Sequence, residues 1–316
     1  MKILVTGGLG FIGSHFIKHI LKKYPNYEII NLDIVSYCAN FKNLEEIENN
    51  KNYTFIKGDI SDKNIVEKIT QEVNCIINFA AQTHVDNSIK NPKDFIKTNI
   101  EGVYVLLEAI KKYNIEKFIQ ISTDEVYGSI ANGFFSENAN LEPNNPYSAS
   151  KASADLLIRS YQNTYKIPAI ITRCANNYGE NQYPEKLIPH FISQLLNNKK
   201  VPLYGNGLNK RDWIYVKDNV KALDLILHQG KIGEIYNISA NCEKTNLEIT
   251  KIILKELNKD ENYIEYVEDR PGHDLRYGID SSKLKKELNW TPDYNFNEQF
   301  IKTIHWYINN KDWLKN

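Results

Sequence analysis

The sequence predicts an α/β fold: a doubly wound parallel sheet carrying a smaller, discontinuous α/β substrate-binding domain. Three observations predict it. Apolar runs of strand length alternate with helical-period segments through the first half, the pattern of a parallel sheet. The first of those runs passes straight into a glycine-rich turn and a helix. Beyond residue 174, short strands, loops and helices interleave without that regularity, as expected of a second domain wrapped back onto the first.

In chain order, Lys2–Thr6 is a short buried strand, and Gly7-Gly8-Leu9-Gly10-Phe11-Ile12-Gly13 follows at once. Phe11, Ile12, His15, Phe16, His19, Ile20 and Lys23 then recur at helical spacing. Gly8, Gly10 and Gly13 match G-x-G-x-x-G, and Gly7 adds the G-x-x-G-x-x-G form. Between a strand and a helix this is a Rossmann-type dinucleotide fingerprint. Its glycines permit a tight turn and let a pyrophosphate approach the helix N-terminus, where amides and dipole favour an anion. The second strand, 28–32, ends in Asp33, twenty residues after Gly13. A carboxylate there accepts from both ribose hydroxyls and repels a 2′-phosphate, so NAD is expected over NADP; a helix cap or loop acid is the plainer alternative.

A strand at Tyr53–Lys57 leads to Gly58-Asp59, with Asp59 near the adenine; a helix over 62–73 and a strand over 75–79 follow. In Ala80-Ala81-Gln82-Thr83-His84-Val85-Asp86-Asn87-Ser88, small residues leave room for a cofactor and polar ones offer donors, although His84 alone reads first as a structural loop histidine. A long helix over 92–113 precedes a strand at 117–121 that runs into Ser122-Thr123-Asp124-Glu125-Val126-Tyr127-Gly128. Open parallel sheets bind ligands at the carboxyl ends of their strands, so the chemistry is expected at Thr123, Asp124 and Glu125.

After a Gly-, Asn- and Pro-rich loop at 129–145, Asn145 caps a helix with Pro146 in its first turn. Tyr147 and Lys151 stand four residues apart, on one face. A lysine beside a tyrosine favours the phenolate, which can take a proton from an alcohol while a nicotinamide takes its hydride. A strand at 169–173 closes this half. Next come Cys174-Ala175-Asn176-Asn177-Tyr178-Gly179, a helix starting within 184–189 and ending near 198, and a strand at Val201–Tyr204. Arg211 and Arg270 lie in loops and suit a diphosphate, because guanidinium forks match phosphate oxygens. A helix over 216–228 and a strand over 234–238 return to the first domain, and two helices end the chain. The division is 1–173 with return segments at about 211–239 for the dinucleotide domain, and about 174–210 and 240–316 for the other.

Lys+Arg and Asp+Glu balance at 39 each, which argues against a nucleic-acid or membrane-surface partner. Cys38, Cys75, Cys174 and Cys242 fit no zinc spacing, so no metal is expected. The chain does not begin with a signal peptide and has no membrane-length apolar run, so a reducing, cytoplasmic setting is expected.

Thr6 to Ser14, Ser122 to Gly128 and Tyr147-Ser148-Ala149-Ser150-Lys151 resemble the extended short-chain dehydrogenases, and within them the nucleotide-sugar 4,6-dehydratases. Asn176-Asn177-Tyr178-Gly179, Tyr183-Pro184-Glu185-Lys186-Leu187-Ile188-Pro189, Arg211-Asp212-Trp213 and Asp269-Arg270-Pro271-Gly272-His273-Asp274 extend the resemblance over nearly the whole chain. It implies redox-neutral dehydration of dTDP-glucose on bound NAD, with UDP-glucose as the alternative substrate. A 4-epimerase or a non-catalytic NAD- or sugar-nucleotide-binding protein is more remote, since epimerases of this fold lack the Thr-Asp-Glu triplet. Catalysis is implied for Thr123, Asp124, Glu125, Tyr147 and Lys151. Cofactor contacts are implied for Gly7, Gly10, Phe11, Ile12, Gly13, Asp33, Asp59, Ile60, Ala80, Ala81, Thr98, Tyr147, Lys151 and Asn177. Substrate contacts are implied for His84, Thr123, Asn176, Glu185, Lys186, Leu187, Pro202, Tyr204, Arg211, Arg270, His273 and Tyr277. The family also implies a homodimer packed through helices 92–113 and 147–165. Gln82, Thr83, Asn87 and the stretch Ser36-Tyr37-Cys38-Ala39-Asn40 are closer to the UDP-glucose enzymes, Cys242 replaces a nucleotide-contacting Asn, and the Arg211 and Pro271–Asp274 motifs follow the dTDP form.

Overall fold

A computed structural model describes residues 1–315. The first half runs β1 (Lys2–Thr6), α1 (Phe11–Lys23), β2 (Glu28–Asp33), β3 (Tyr53–Lys57), α2 (Lys63–Thr70), β4 (Cys75–Asn78), α3 (Val85–Lys90), α4 (Lys93–Ile96), a π turn (Lys97–Glu101), α5 (Gly102–Lys112), β5 (Lys117–Thr123), α6 (Pro146–Tyr165) and β6 (Ala169–Cys174). The second half continues with β7 (Asn176–Tyr178), α7 (Leu187–Leu196), β8 (Val201–Tyr204), β9 (Lys210–Tyr215), α8 (Val216–Gln229), β10 (Ile235–Ile238), β11 (Glu243–Thr245), α9 (Asn246–Glu256), β12 (Ile264–Val267), α10 (Ser282–Leu288) and α11 (Phe296–Asn309).

The main sheet has the order β10-β6-β5-β4-β1-β2-β3, every pairing parallel. Strand order reverses between β1 and β4, which opens a crevice at their carboxyl ends. Side chains alternate across the sheet: Ile3 and Val5 pack with α1 and α8, while Leu4 faces α2, α5 and α6. Burial on both faces is what helices on both sides require, and it explains the near-continuous apolar strands. A third core gathers Tyr178, Phe191, Trp213, Phe300 and Tyr307 between α7, α9, α11 and two small sheets, β11-β9-β7 and β12-β8.

Polar groups bridge the main sheet. Thr6 Oγ1 donates to Asn78 Oδ1 (2.5 Å), and Asn78 Nδ2 donates to Gln120 Oε1 (2.8 Å), so β1, β4 and β5 are tied beneath the crevice. Arg173 is fully buried; its Nε donates to Asp155 Oδ2 (2.9 Å) and its Nη1 to the Tyr127 hydroxyl (2.8 Å). Removing one partner strands the other charge in the interior, so Asp155→Ala should cost about 3–5 kcal/mol, read from the urea midpoint.

Four expectations change. The helix expected over 92–113 is interrupted by the π turn, which turns Asn99 inward to bond Gln82 and Ser150. The helix expected from 184–189 starts at Leu187, after an extended Lys186, with Pro189 still in the first turn where a missing N–H is harmless. β5 extends to Thr123 because Ser122 and Thr123 remain paired with Arg173 and Cys174. β9 pairs with β7 and β11, so the return to the main sheet begins with α8 rather than at residue 211.

Candidate active site

The crevice is a cleft of about 300 Å³. Its floor is the glycine turn. Gly7 sits at φ 69°, and a Cβ on it would come within 2.6 Å of the Ala80 amide nitrogen; one on Gly13 would come within 2.6 Å of the Gly7 carbonyl. Gly10 caps α1 with no side-chain hydrogen bond, and the first turn holds no acidic residue. The amides at that helix end are therefore open to an anion. Asp33 closes one end of the cleft, accepting from Leu9 N (3.0 Å) and Val35 N (2.8 Å), and burial raises its pKa. Asp59 lines the same end; burial would raise it, but the Ser61 amide and Lys97 ammonium bring it below its ordinary value.

At the other end, Thr123 caps the turn that follows β5. Its Oγ1 accepts from Glu125 N (3.3 Å) and lies 3.1 Å from Asp124 Oδ1. Gly128, at φ 81°, bends the chain away. Asn145 and Ser148 form a capping box that starts α6, and Ser88 Oγ accepts from Tyr147 N (3.1 Å). One turn on, Lys151 Nζ donates to Ile121 O (2.6 Å), which ties α6 to the strand bearing the acids.

The electrostatics separate these groups. Burial, then the neighbouring Glu125, pushes Asp124 up to about 8, and its Oδ2 has no partner among the described residues. Burial brings Lys151 down to about 8, opposed by Asp155. Burial, then Glu125, holds the Tyr147 phenol well above its ordinary value, with the Thr123 hydroxyl acting in the opposite sense. The lysine is engaged by a carbonyl, and the sequence argument weighed the adjacent charge without the burial.

All fourteen residues assigned to the cofactor line this cleft, as do Thr123, Asp124, Glu125, Asn176, Glu185 and Lys186. His84, Leu187, Pro202, Tyr204, Arg211, Arg270, His273 and Tyr277 stand outside its lining. Tyr277 nevertheless reaches a lining residue, and Tyr204 and Arg270 gather around Asp86. The Tyr277 hydroxyl lies 2.7 Å from Asp274 Oδ2 and 3.3 Å from Glu125 Oε2, with the Arg211 guanidinium 4.3 Å from its ring centroid. Tyr204 donates to Asp86 Oδ2 (3.1 Å), and Arg270 pairs with Asp86 at 3.6 Å. His273 bonds Asp269 (2.6 Å) and packs edge-on against Tyr204. His84 caps α3, Leu187 opens α7, and Pro202 sits in β8.

Sequence reasoning missed Asp86 as the shared partner of Tyr204 and Arg270, and missed Ser36, Cys38, Cys174, Gln182 and Tyr183 as cleft walls. Asp86 and Cys38 fall in stretches already singled out, so their positions were signalled and their partners were not. The replacement at Cys242 meets Asp212, whose Oδ1 accepts from its amide (2.8 Å). Among the described residues no cluster suits a metal, and no helix is long and apolar enough to cross a membrane.

Comparison with known proteins follows the same lines. The family described as GDP-mannose 4,6 dehydratase matches residues 4–303. Low-salt glycan biosynthesis protein Agl12 of Haloferax volcanii is 46% identical over 98% of this chain and 99% of its own. dTDP-glucose 4,6-dehydratase of Escherichia coli is 45% identical over 99% of this chain and 95% of its own. The crystal structure of DesIV, a dTDP-glucose 4,6-dehydratase from Streptomyces venezuelae with NAD bound, superposes with a TM-score of 0.97 at 43% identity, covering 99% of this chain and 98% of that one.

Proposed function

Because the chain belongs to the GDP-mannose 4,6 dehydratase family and is similar to dTDP-glucose 4,6-dehydratases nearly end to end, we infer that it is an NAD-dependent hydro-lyase that converts dTDP-glucose into dTDP-4-keto-6-deoxy-glucose. The observation that carries this reading is the Asp124-Glu125 pair at the tip of β5, opening into the same cleft as Tyr147 and Lys151.

The residues fit NAD. The uncapped start of α1 and the glycine cradle would hold the pyrophosphate, Asp33 the ribose and Asp59 the adenine end, with Ile60, Ala80, Ala81, Thr98 and Asn177 as walls. When bound, NAD supplies the acceptor for the C4 hydride and returns that hydride to C6, so no net oxidation results.

The protein's own groups move the protons. Tyr147 would act as its phenolate, its own proton released under the positive charge of the oxidised nicotinamide and of Lys151 one turn along α6, and in that form it takes the C4 hydroxyl proton with the Thr123 hydroxyl beside it. The resulting 4-keto group acidifies the C5 hydrogen, which Glu125 removes and gives back to C5 as the hydride reaches C6. Asp124 is protonated at neutral pH and donates to the departing C6 hydroxyl. The elimination needs one base beside one acid, and burial suits Asp124 to the acid's part. Glu185 and Lys186 face the hexose. Asn176, Leu187, Arg211, Arg270 and His273 hold the nucleotide diphosphate, with Pro202 and Tyr204 at its side and Tyr277 near the sugar.

Asp124 and Lys151 both lose their working proton near pH 8. Activity should therefore fall as pH rises through 8, approaching about two decades per unit. In Asp124→Asn the residual rate should fall by only about one decade per unit, because Lys151 alone still titrates. A single-ionisation limb in the wild type would remove one of the two groups from the reaction.

The reading is tested by turnover of dTDP-glucose and UDP-glucose side by side with catalytic NAD. Formation of the 4-keto-6-deoxy product from dTDP-glucose, without net NADH, is expected; a faster UDP-glucose reaction would reassign the base, and an NDP-galactose product would make the protein an epimerase. We assign 1–173 and the return through α8 and β10 to the dinucleotide domain, and the remainder to the substrate domain. Exposed Ile96, Tyr104, Leu156 and Tyr165 on α4, α5 and α6 support a homodimer, to be checked as a doubled mass by light scattering. The four free cysteines suit a reducing, cytoplasmic setting, which cell fractionation would test.

A further inference from the structure

The segment that leaves β2 turns sharply. Val35 has φ 59°, a left-handed conformation that a β-branched residue adopts only under constraint. The constraint is visible: Val35 N donates to Asp33 Oδ1 (2.8 Å), and a few residues on Asn40 N donates to the carbonyl of Leu9 in the glycine turn (3.2 Å). Residues 35–40 thus form a short arch, pinned at one end to Asp33 and at the other to the glycine turn.

From that arch Tyr37 reaches a part of the chain 148 residues away. Its hydroxyl donates to Glu185 Oε2 (2.9 Å), and its ring packs edge-on against Tyr183 at 5.6 Å. The Asn87 side chain adjoins the same hydroxyl. The neighbouring Lys186 is tied as well, its Nζ donating to Thr83 O (2.8 Å). Ser36, Cys38, Tyr183, Glu185 and Lys186 all line the cleft, so these bonds join its dinucleotide wall to its sugar-facing wall. Burial, then the Glu185 charge, raises the phenol's pKa, so Tyr37 stays a neutral donor at any working pH.

We propose that Tyr37 is a positioning residue that holds the Glu185 carboxylate in its hexose-facing rotamer, across the wall of the cleft from the dinucleotide. The proposal rests on the assignment of Glu185 to the hexose. A glutamate side chain free to rotate must be ordered each time a sugar binds, and a fixed donor removes that cost beforehand. The Val35 turn sets where the donor stands, so the residue that reads the ribose and the residue that meets the sugar are linked by one strained arch.

The test is a double-mutant cycle on the full-length protein with Tyr37→Phe, Glu185→Gln and both together. Steady-state turnover of dTDP-glucose and binding of dTDP-glucose and of dTDP alone are measured. Phenylalanine keeps the ring on Tyr183 and removes only the donor. Tyr37→Phe should raise KM for dTDP-glucose about three- to tenfold with kcat nearly unchanged. Binding of dTDP and the thermal midpoint should not move, and the double variant should be no worse than Glu185→Gln. If wild type turns over while the two losses multiply, or Tyr37→Phe matches wild type, or it weakens dTDP and dTDP-glucose alike, the positioning role falls and the dehydratase reading stands. A wild type inert on dTDP-glucose overturns both.

Discussion

Glu125→Gln should bind dTDP-glucose, reduce its nicotinamide and then stop. Glutamine keeps the shape of the side chain and can still meet the Tyr277 hydroxyl, which lies 3.3 Å from Oε2, but it cannot accept the C5 proton. Loss of a positioned general base costs about 10²–10⁴ in rate, so overall turnover should drop roughly 10³-fold. Oxidation at C4, assigned to Tyr147 and Thr123, should proceed. Rapid mixing of the NAD-loaded variant with dTDP-glucose should give a rise in reduced-nicotinamide absorbance that persists, where the wild type shows only a transient. Water elimination at the wild-type rate would take the base role away from Glu125.

Tyr147→Phe should fail one step earlier. Its ring packs edge-on against Phe95 at 6.4 Å and is buried, so phenylalanine preserves the packing and deletes only the hydroxyl. The C4 alcohol then has no positioned acceptor for its proton, and turnover should fall by about 10³–10⁴ with no rise in reduced nicotinamide at all. NAD affinity, followed by fluorescence quenching, should stay close to wild type, because the glycine cradle and Asp33 are untouched. Nicotinamide reduction at the wild-type rate would show that another group takes the proton. The two variants together divide the reaction at the C4 ketone.

What was legible in the sequence was local. The fingerprint, the acid at the end of β2, the triplet at the tip of β5 and the Tyr147/Lys151 spacing each depend on neighbours a few residues away. A parallel sheet of this order brings all of them to one crevice, and all fourteen cofactor assignments do line one cleft. What was illegible depends on partners distant in sequence. The π turn at Lys97–Glu101 exists because Asn99 has Gln82 and Ser150 to bond, and no property of 97–101 alone announces either. The strand Lys210–Tyr215 is hidden because its edge partners, β7 and β11, are three-residue strands too short to show a period. The burial of Lys151 was illegible for the same reason: charge can be read from the next turn of a helix, whereas burial is imposed by the whole domain.

Tyr277 has one more consequence. Its hydroxyl touches Glu125 while the Arg211 guanidinium lies on its ring, so one aromatic side chain stands between the acid assigned to elimination and the cation assigned to the diphosphate. Anyone re-engineering the nucleotide preference by rebuilding β9 around Arg211 would therefore be retuning the carboxylate assigned to elimination as well. Variants selected for a new base should carry a second, compensating change at Tyr277 or Asp274.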